Sequence, residues 1–250
     1  MKSKKNPQLI FGRHPVVDAI QGGTSVDKVV IQKGIRGDLE KEMRKLCKAA
    51  DIPLNYVPKE RMNRLASRGN HQGVMAYLSL IEYHTLENLL PFLYEQSKVP
   101  LLVVLDSVTD VRNFGAIART AEGIGAHGLI IPKKGGALIN ADALKTSAGT
   151  LTHLPDCREN NLKNAVDFLQ QSGIQVVASS LQATKKIHEL DFTAPTAIIM
   201  GSEDEGVSSA LLKKADHTFL IPMQGKTDSF NVSVAAGMIL YEANRQRSFN

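Results

Sequence analysis

From residue 100 onward the chain alternates short, continuous apolar runs with stretches in which apolar residues recur at helical spacing. The runs "LLVVLD", "GLIIP", "IQVVASS", "TAIIMGS" and "TFLIPM" are apolar at consecutive rather than alternate positions. Such runs fit parallel strands covered on both faces. Helical segments are expected between and after them, around 113–122, 140–148, 160–172, 208–214 and 232–246. That order implies an open α/β sheet. The first 80 residues read as a smaller α/β unit, with a helix in "HPVVDAIQ", a strand "DKVVIQ", a helix in "LEKEMRKLCKAA", a strand "LNYVP", a short helix "KERMNRLA" and a strand "GVMAYLSL". Between the two units lies "IEYHTLENLLPFLYEQSKVP", mostly helical and punctuated by Pro91 and Pro100. The expected organisation is a domain over 1–80, a linker over 81–98 and a second domain over 99–250.

Composition narrows the classes. At 250 residues and 43% hydrophobic content, the chain can bury a substantial core. No run approaches the roughly 18 apolar residues of a membrane span, and the opening "MKSKKNPQLIFGRHP" holds only a three-residue apolar stretch, too short for an export signal. Cys47 and Cys157 are isolated, and the seven histidines show no ligand spacing. A disulfide framework and a metal site are therefore not expected, and a reducing cytoplasmic setting is. The net charge of +5 is unevenly placed: residues 1–80 hold 15 Lys and Arg against 7 Asp and Glu, whereas 99–250 hold 14 against 15. The first domain is thus the part suited to a polyanion.

Three motif-like stretches fail on inspection. Gly123, Gly125 and Gly128 have the G-x-G-x-x-G spacing of a dinucleotide loop, but they follow a helix and precede a strand, the reverse of the working order. A helix C-cap and tight turn are expected there instead. "GKT" at 225–227 resembles the end of a P-loop, yet the first glycine of that motif would fall on Leu220. "GSEDEG" places Glu203 where a nucleophile elbow needs serine.

In open α/β sheets ligands collect outside the carboxyl ends of the strands. Three of those exits are polar and glycine-bearing: "DSVTDVRNFGAIART", "GSEDEGVS" and "PMQGKTDSFNVSVAAG". Arg119, set among Ala116, Ile117, Ala118, Thr120 and Ala121, is a permanent charge on a surface otherwise suited to close packing. Either a ligand or a salt bridge to an acid at the core edge would satisfy it. Asn113 stands at the start of the same helix, and Ser229 and Asn231 precede the last one, where helix capping is the simpler role for each.

Taken together and in order, "DVRNFGAIARTAE", "IIMGSEDEGV" and "LIPMQGKTDSFNVSVAAGMILYE" resemble the three motifs of the SpoU/TrmH family of RNA ribose 2′-O-methyltransferases. The resemblance covers about 100–247, with Val111 standing where the family usually has proline. The first 80 residues, with "FGRHPVVDAI" and "HQGVMAYL", are similar to the substrate-binding domain, itself like a ribosomal RNA-binding protein, that ribosomal-RNA members carry. The resemblance implies a SPOUT fold with a deep C-terminal trefoil knot, S-adenosylmethionine held by Gly201, Ile221 and Phe230, and a homodimer through the last helix. It assigns methyl transfer to Arg119 with Asn113, Glu203, Ser229 and Asn231 around it. Because a guanidinium stays protonated up to about pH 12, the role expected of Arg119 is to bind phosphate and stabilise the developing alkoxide. The implied substrate is a guanosine of large-subunit ribosomal RNA; the alternatives are transfer RNA, or a non-catalytic RNA-binding assembly factor.

Overall fold

The computed structural model describes residues 9–66, 70–137 and 139–248. The chain divides into two compact units, Met1–Glu82 and Tyr83–Asn250. In the first, β1 (Leu9–Phe11), α1 (Arg13–Gln21), β2 (Val26–Gln32), α2 (Asp38–Ala49), β3 (Leu54–Val57), α3 (Lys59–Ala66) and β4 (Val74–Leu78) follow in that order. They form a mixed sheet ordered β1-β4-β2-β3, in which only β2 and β3 run parallel. Strand alternation gives the sheet two cores. Val29, Ile31 and Ala76 pack with Val16, Met43 and Cys47, while Val30 and Met75 pack with Met62 and Ala66.

The second unit contains β5 (Tyr83–His84), α4 (Leu86–Glu95), β6 (Leu101–Asp106), α5 (Val111–Ile124), β7 (Gly128–Pro132), α6 (Ala141–Thr146), β8 (Asp156–Glu159), α7 (Leu162–Gln171), β9 (Gln175–Ser179), β10 (Thr196–Gly201), α8 (Ser209–Leu212), β11 (His217–Phe219) and α9 (Val232–Ser248). Its seven strands are ordered β11-β9-β10-β6-β7-β8-β5, and every pairing is parallel. β6 and β10 are buried at every position, as their unbroken apolar runs predict. Leu102, Val104, Val176 and Ile199 pack with leucines of α4, α7 and α8. Alternation turns Val103 and Leu105 to the other face, the side of α5, α6 and α9. There α5 packs against both α6 and α9.

The stretch 81–98 is not a linker. Tyr83 and His84 pair with Asp156 and Cys157 at the sheet edge, and Leu86, Leu89, Leu90 and Leu93 are buried in the core of the larger unit. The leucine spacing on α4 carries that burial, and Pro91 sits inside the helix without ending it. β5 and β8 escape a search for apolar runs because one is two residues long and the other reads "DCRE". The glycine triplet does close a turn: Gly125 is the left-handed C-cap of α5 at φ 86°.

Candidate active site

Because the strands are parallel, their carboxyl ends share one edge. The loop leaving β10 folds back at once: Ser202 and Gly206 bridge, with the Gly206 amide donating to the Ser202 carbonyl at 2.9 Å. A Cβ on Gly201 would lie 1.9 Å from the Gly206 carbonyl carbon. The chain's own backbone therefore requires glycine at 201. The loop is tethered to the neighbouring strand by Asp106, the buried last residue of β6, whose Oδ2 accepts from the Ser208 amide at 2.8 Å. Sequence reasoning passed over Asp106, although a carboxylate ending an otherwise apolar strand is the signal that finds it.

Asn231 caps α9. Its Oδ1 accepts from the Ser233 amide at 3.0 Å, the Val234 amide at 3.3 Å and the Ser233 hydroxyl at 2.6 Å. With the oxygen committed, the amide nitrogen faces away from the helix and donates to Asn113 Oδ1 at 3.1 Å and to Glu203 Oε1. Asn113 is held in the first turn of α5, where Asp110 Oδ1 accepts from the Arg112 and Asn113 amides at 2.9 and 2.8 Å. Its own Nδ2 donates to Glu203 Oε1 at 3.2 Å. One carboxylate oxygen thus gathers three loops that are far apart in sequence. The conformation of Asn231 that caps α9 is the one that turns its amide nitrogen to Asn113 and Glu203.

Beside this cluster opens a cavity of about 400 Å³, lined among others by Gly201, Glu203, Ile221, Ser229 and Phe230. Met200, Phe219, Leu220 and Met223 add apolar side chains to its lining, and Asp204, Glu205 and Asp228 add acidic ones. Ser179–Gln182, leaving β9, complete it. Leu181 is 56% exposed there, and sequence reasoning missed it because only three strand exits were weighed.

Arg119 stands apart. It lies nearly two turns along α5 from Asn113, is exposed, and does not line the cavity. Among the described residues it has no ion pair or hydrogen bond, so the salt bridge weighed above is not formed.

Residues 100–241 match the family model described as the SpoU rRNA Methylase family. The chain belongs to that family. Residues 9–84 match a second model, RNA 2′-O ribose methyltransferase substrate binding. The family relatives include a putative TrmH family tRNA/rRNA methyltransferase of Bacillus subtilis, 31% identical over 96% of both chains. An uncharacterized tRNA/rRNA methyltransferase of Synechocystis is 36% identical over 97% of this chain, which spans 63% of that longer protein. Among solved structures, the SpoU methyltransferase AviRb of Streptomyces viridochromogenes in complex with AdoMet aligns with a TM-score of 0.62 at 27% identity, covering 97% of this chain and 91% of that one.

Proposed function

We propose that this chain is an S-adenosylmethionine-dependent enzyme that methylates a ribose 2′-hydroxyl of RNA, with a guanosine of large-subunit ribosomal RNA as the target. The observation that carries the reading is the meeting of Asn113, Glu203 and Asn231 at the lip of the cavity. The cavity's volume falls in the ordinary range for a cofactor, its apolar lining residues suit an adenine ring, and its acidic ones suit a sulfonium. Gly201, Ile221 and Phe230 would hold the nucleoside. When bound, S-adenosylmethionine supplies an electrophilic methyl group on a positively charged sulfur.

The chain's own residues have then to align a poor nucleophile and manage one proton. Both amides bond to Oε1 of Glu203, so Oε2 is available to the substrate. Ser229 lines the same space. Arg119 grips a phosphate and stabilises the developing alkoxide, while a neighbour or water takes the proton. Bringing Arg119 to the chemistry belongs to a homodimer. Val234, Met238 and Tyr241 form an apolar stripe at i, i+4, i+7 on α9, exposed by 50%, 39% and 60%, which supports that helix as the interface. The C-terminal trefoil knot is part of the same reading: the chain returns from β11, outermost in the sheet, across the carboxyl edge to α9 against α5.

No helix of the described residues is long and apolar enough to cross a membrane, and a cytoplasmic enzyme acting on RNA fits that. The deciding experiment incubates the protein and labelled S-adenosylmethionine with separated ribosomal and transfer RNAs and maps the methylated ribose. Label in a ribosomal guanosine is expected. Label in transfer RNA moves the substrate, and no label in either removes the catalytic reading in favour of an RNA-binding assembly factor.

A further inference from the structure

In the first unit, two side-chain amides stand where a carboxylate would make the same structural bonds more strongly. The start of α1 and the turn before β4 meet there: the Gly12 amide donates to the Val74 carbonyl at 3.1 Å, and the Arg13 amide donates to Gln72 Oε1 at 3.0 Å. Gln72 thus supplies the cap that Gly12 cannot, on a helix whose first turn holds no acid. The turn itself is closed by the Val74 amide donating to the His71 carbonyl at 2.9 Å, with Gln72 at φ 49° and Gly73 at φ 82°. Left-handed backbone at both central positions suits glycine or asparagine, and glutamine adopts it at a cost. His71 is buried, and its Nδ1 accepts from the Gly73 amide at 2.9 Å. The ring proton is therefore on Nε2, which donates to Asn63 Oδ1 on α3 at 2.8 Å. Both amides have their oxygens turned to the protein. Both residues are exposed, and among the described residues neither Gln72 Nε2 nor Asn63 Nδ2 has a hydrogen bond.

If capping were the whole role of residue 72, glutamate would serve better, because the helix dipole favours an anion at its N-terminus. If holding His71 were the whole role of residue 63, aspartate would accept more strongly. What the amide adds at each place is an N–H donor turned outward. We propose that Gln72 and Asn63, joined through His71, form an RNA-reading pair whose outward N–H groups bond to acceptor atoms of unpaired bases. The proposal rests on RNA being the substrate. The basic excess of residues 1–80 attracts phosphates without reading sequence, and the amides add a contact that does read it. With its oxygen occupied, an amide of this kind does not make the paired donor and acceptor contact that adenine offers through N6 and N7. It suits bases that present acceptors, O4 of uracil or O6 and N7 of guanine.

The test uses the full-length protein and the Gln72→Glu/Asn63→Asp double variant, which keeps both structural bonds and replaces the outward donors by acceptors. Its urea midpoint should equal or exceed that of wild type. A control, Gln21→Glu/Asn55→Asp, makes the same change of charge at exposed positions at the far end of α1 and on β3. Binding of short labelled oligouridylate and oligoadenylate is followed by fluorescence anisotropy. Added negative charge weakens both RNAs alike, so the ratio of the two affinities reports base reading alone. That ratio should shift away from uridine by about tenfold in the double variant, the effect of two lost neutral hydrogen bonds, and stay at the wild-type value in the control. An unchanged ratio in the double variant, an equal shift in the control, or failure of wild type to bind either RNA overturns the pair. These readouts need no turnover, so failure to methylate any RNA would strike the proposed reaction alone.

Discussion

Among the described residues Arg119 is exposed and makes no hydrogen bond or ion pair, while Asn113, Glu203 and Asn231 are bonded to one another. An unpaired arginine of this kind contributes little to folding, so its removal tests chemistry cleanly. Arg119→Ala is expected to lower single-turnover methyl transfer about 10²–10³-fold, the cost typical of one lost oxyanion donor, with S-adenosylmethionine affinity nearly intact. Arg119→Lys should remain severely impaired even at alkaline pH, because lysine keeps the charge and loses the fork. A rescue of the lysine variant as pH rises toward about 10.4 would instead mark residue 119 as the proton acceptor. Asp156 poses the opposite case. It is fully buried in β8, and among the described residues neither carboxylate oxygen has a hydrogen-bond partner. Burial drives its pKa well above the ordinary carboxylate value, against a smaller opposing pull from Arg158. A raised pKa in the folded state means that stability is complete at low pH and declines as pH climbs above the unfolded value of about 3.9. Asp156→Asn should therefore raise the unfolding temperature at neutral pH, and the gain should vanish near pH 4. A gain independent of pH would show that ionisation is not the cause.

At the scale of elements, two ends of helices separate positions that look alike in sequence. Gly123 is helical with open space around an added Cβ, whereas Gly125 holds the left-handed cap of α5. Gly123→Ala should stabilise by about 0.5–1 kcal/mol, and Gly125→Ala should cost about 1 kcal/mol, each read by urea unfolding with unchanged m-value. Neither should weaken cofactor binding, since both lie away from the cavity lining. At the far end of α9, Arg247 donates to four carbonyls: Phe192 at 2.7 Å, Val99 and Ala194 at 2.8 Å, and Pro100 at 3.0 Å. Gln246 adds bonds to the Phe192 amide and the Leu190 carbonyl at 2.9 and 3.0 Å. The last helix is thereby fastened to the segments that lead into β6 and β10. Arg247→Ala leaves those carbonyls short of a donor and should cost about 3 kcal/mol, seen as a lower urea midpoint. Arg247→Lys should recover only part, because one ammonium cannot span four acceptors.

Across the whole molecule, charge and chemistry are divided between units. The basic excess lies in residues 1–80, and the cavity and its lip belong wholly to Tyr83–Asn250. If bulk RNA affinity resides in the first unit, a fragment of residues 1–82 should keep a steep negative dependence of binding on salt, and a fragment of 83–250 a shallower one. Equal slopes would break the link between charge asymmetry and RNA binding.

The sequence by itself determined the elements whose cause is local. β6 and β10 follow from unbroken apolar runs, Gly125 from the handedness of a helix cap, and the two-unit organisation from composition and spacing. The three motif loops were legible as well, because their residues sit at strand exits and helix starts whose positions the pattern reveals. Tertiary structure alone decided which of them meet. Asn113, Glu203 and Asn231 are 90 and 28 residues apart, and only the parallel order of β10 beside β6 and the return of α9 onto α5 bring their side chains to one oxygen. The same packing set Arg119 outside that cluster, gave Gly201 its obligation through the Gly206 backbone, and drew β5 and α4 out of an expected linker into the sheet and core. Hydrophobic spacing records which face of an element is buried, and it carries no record of which distant element covers that face.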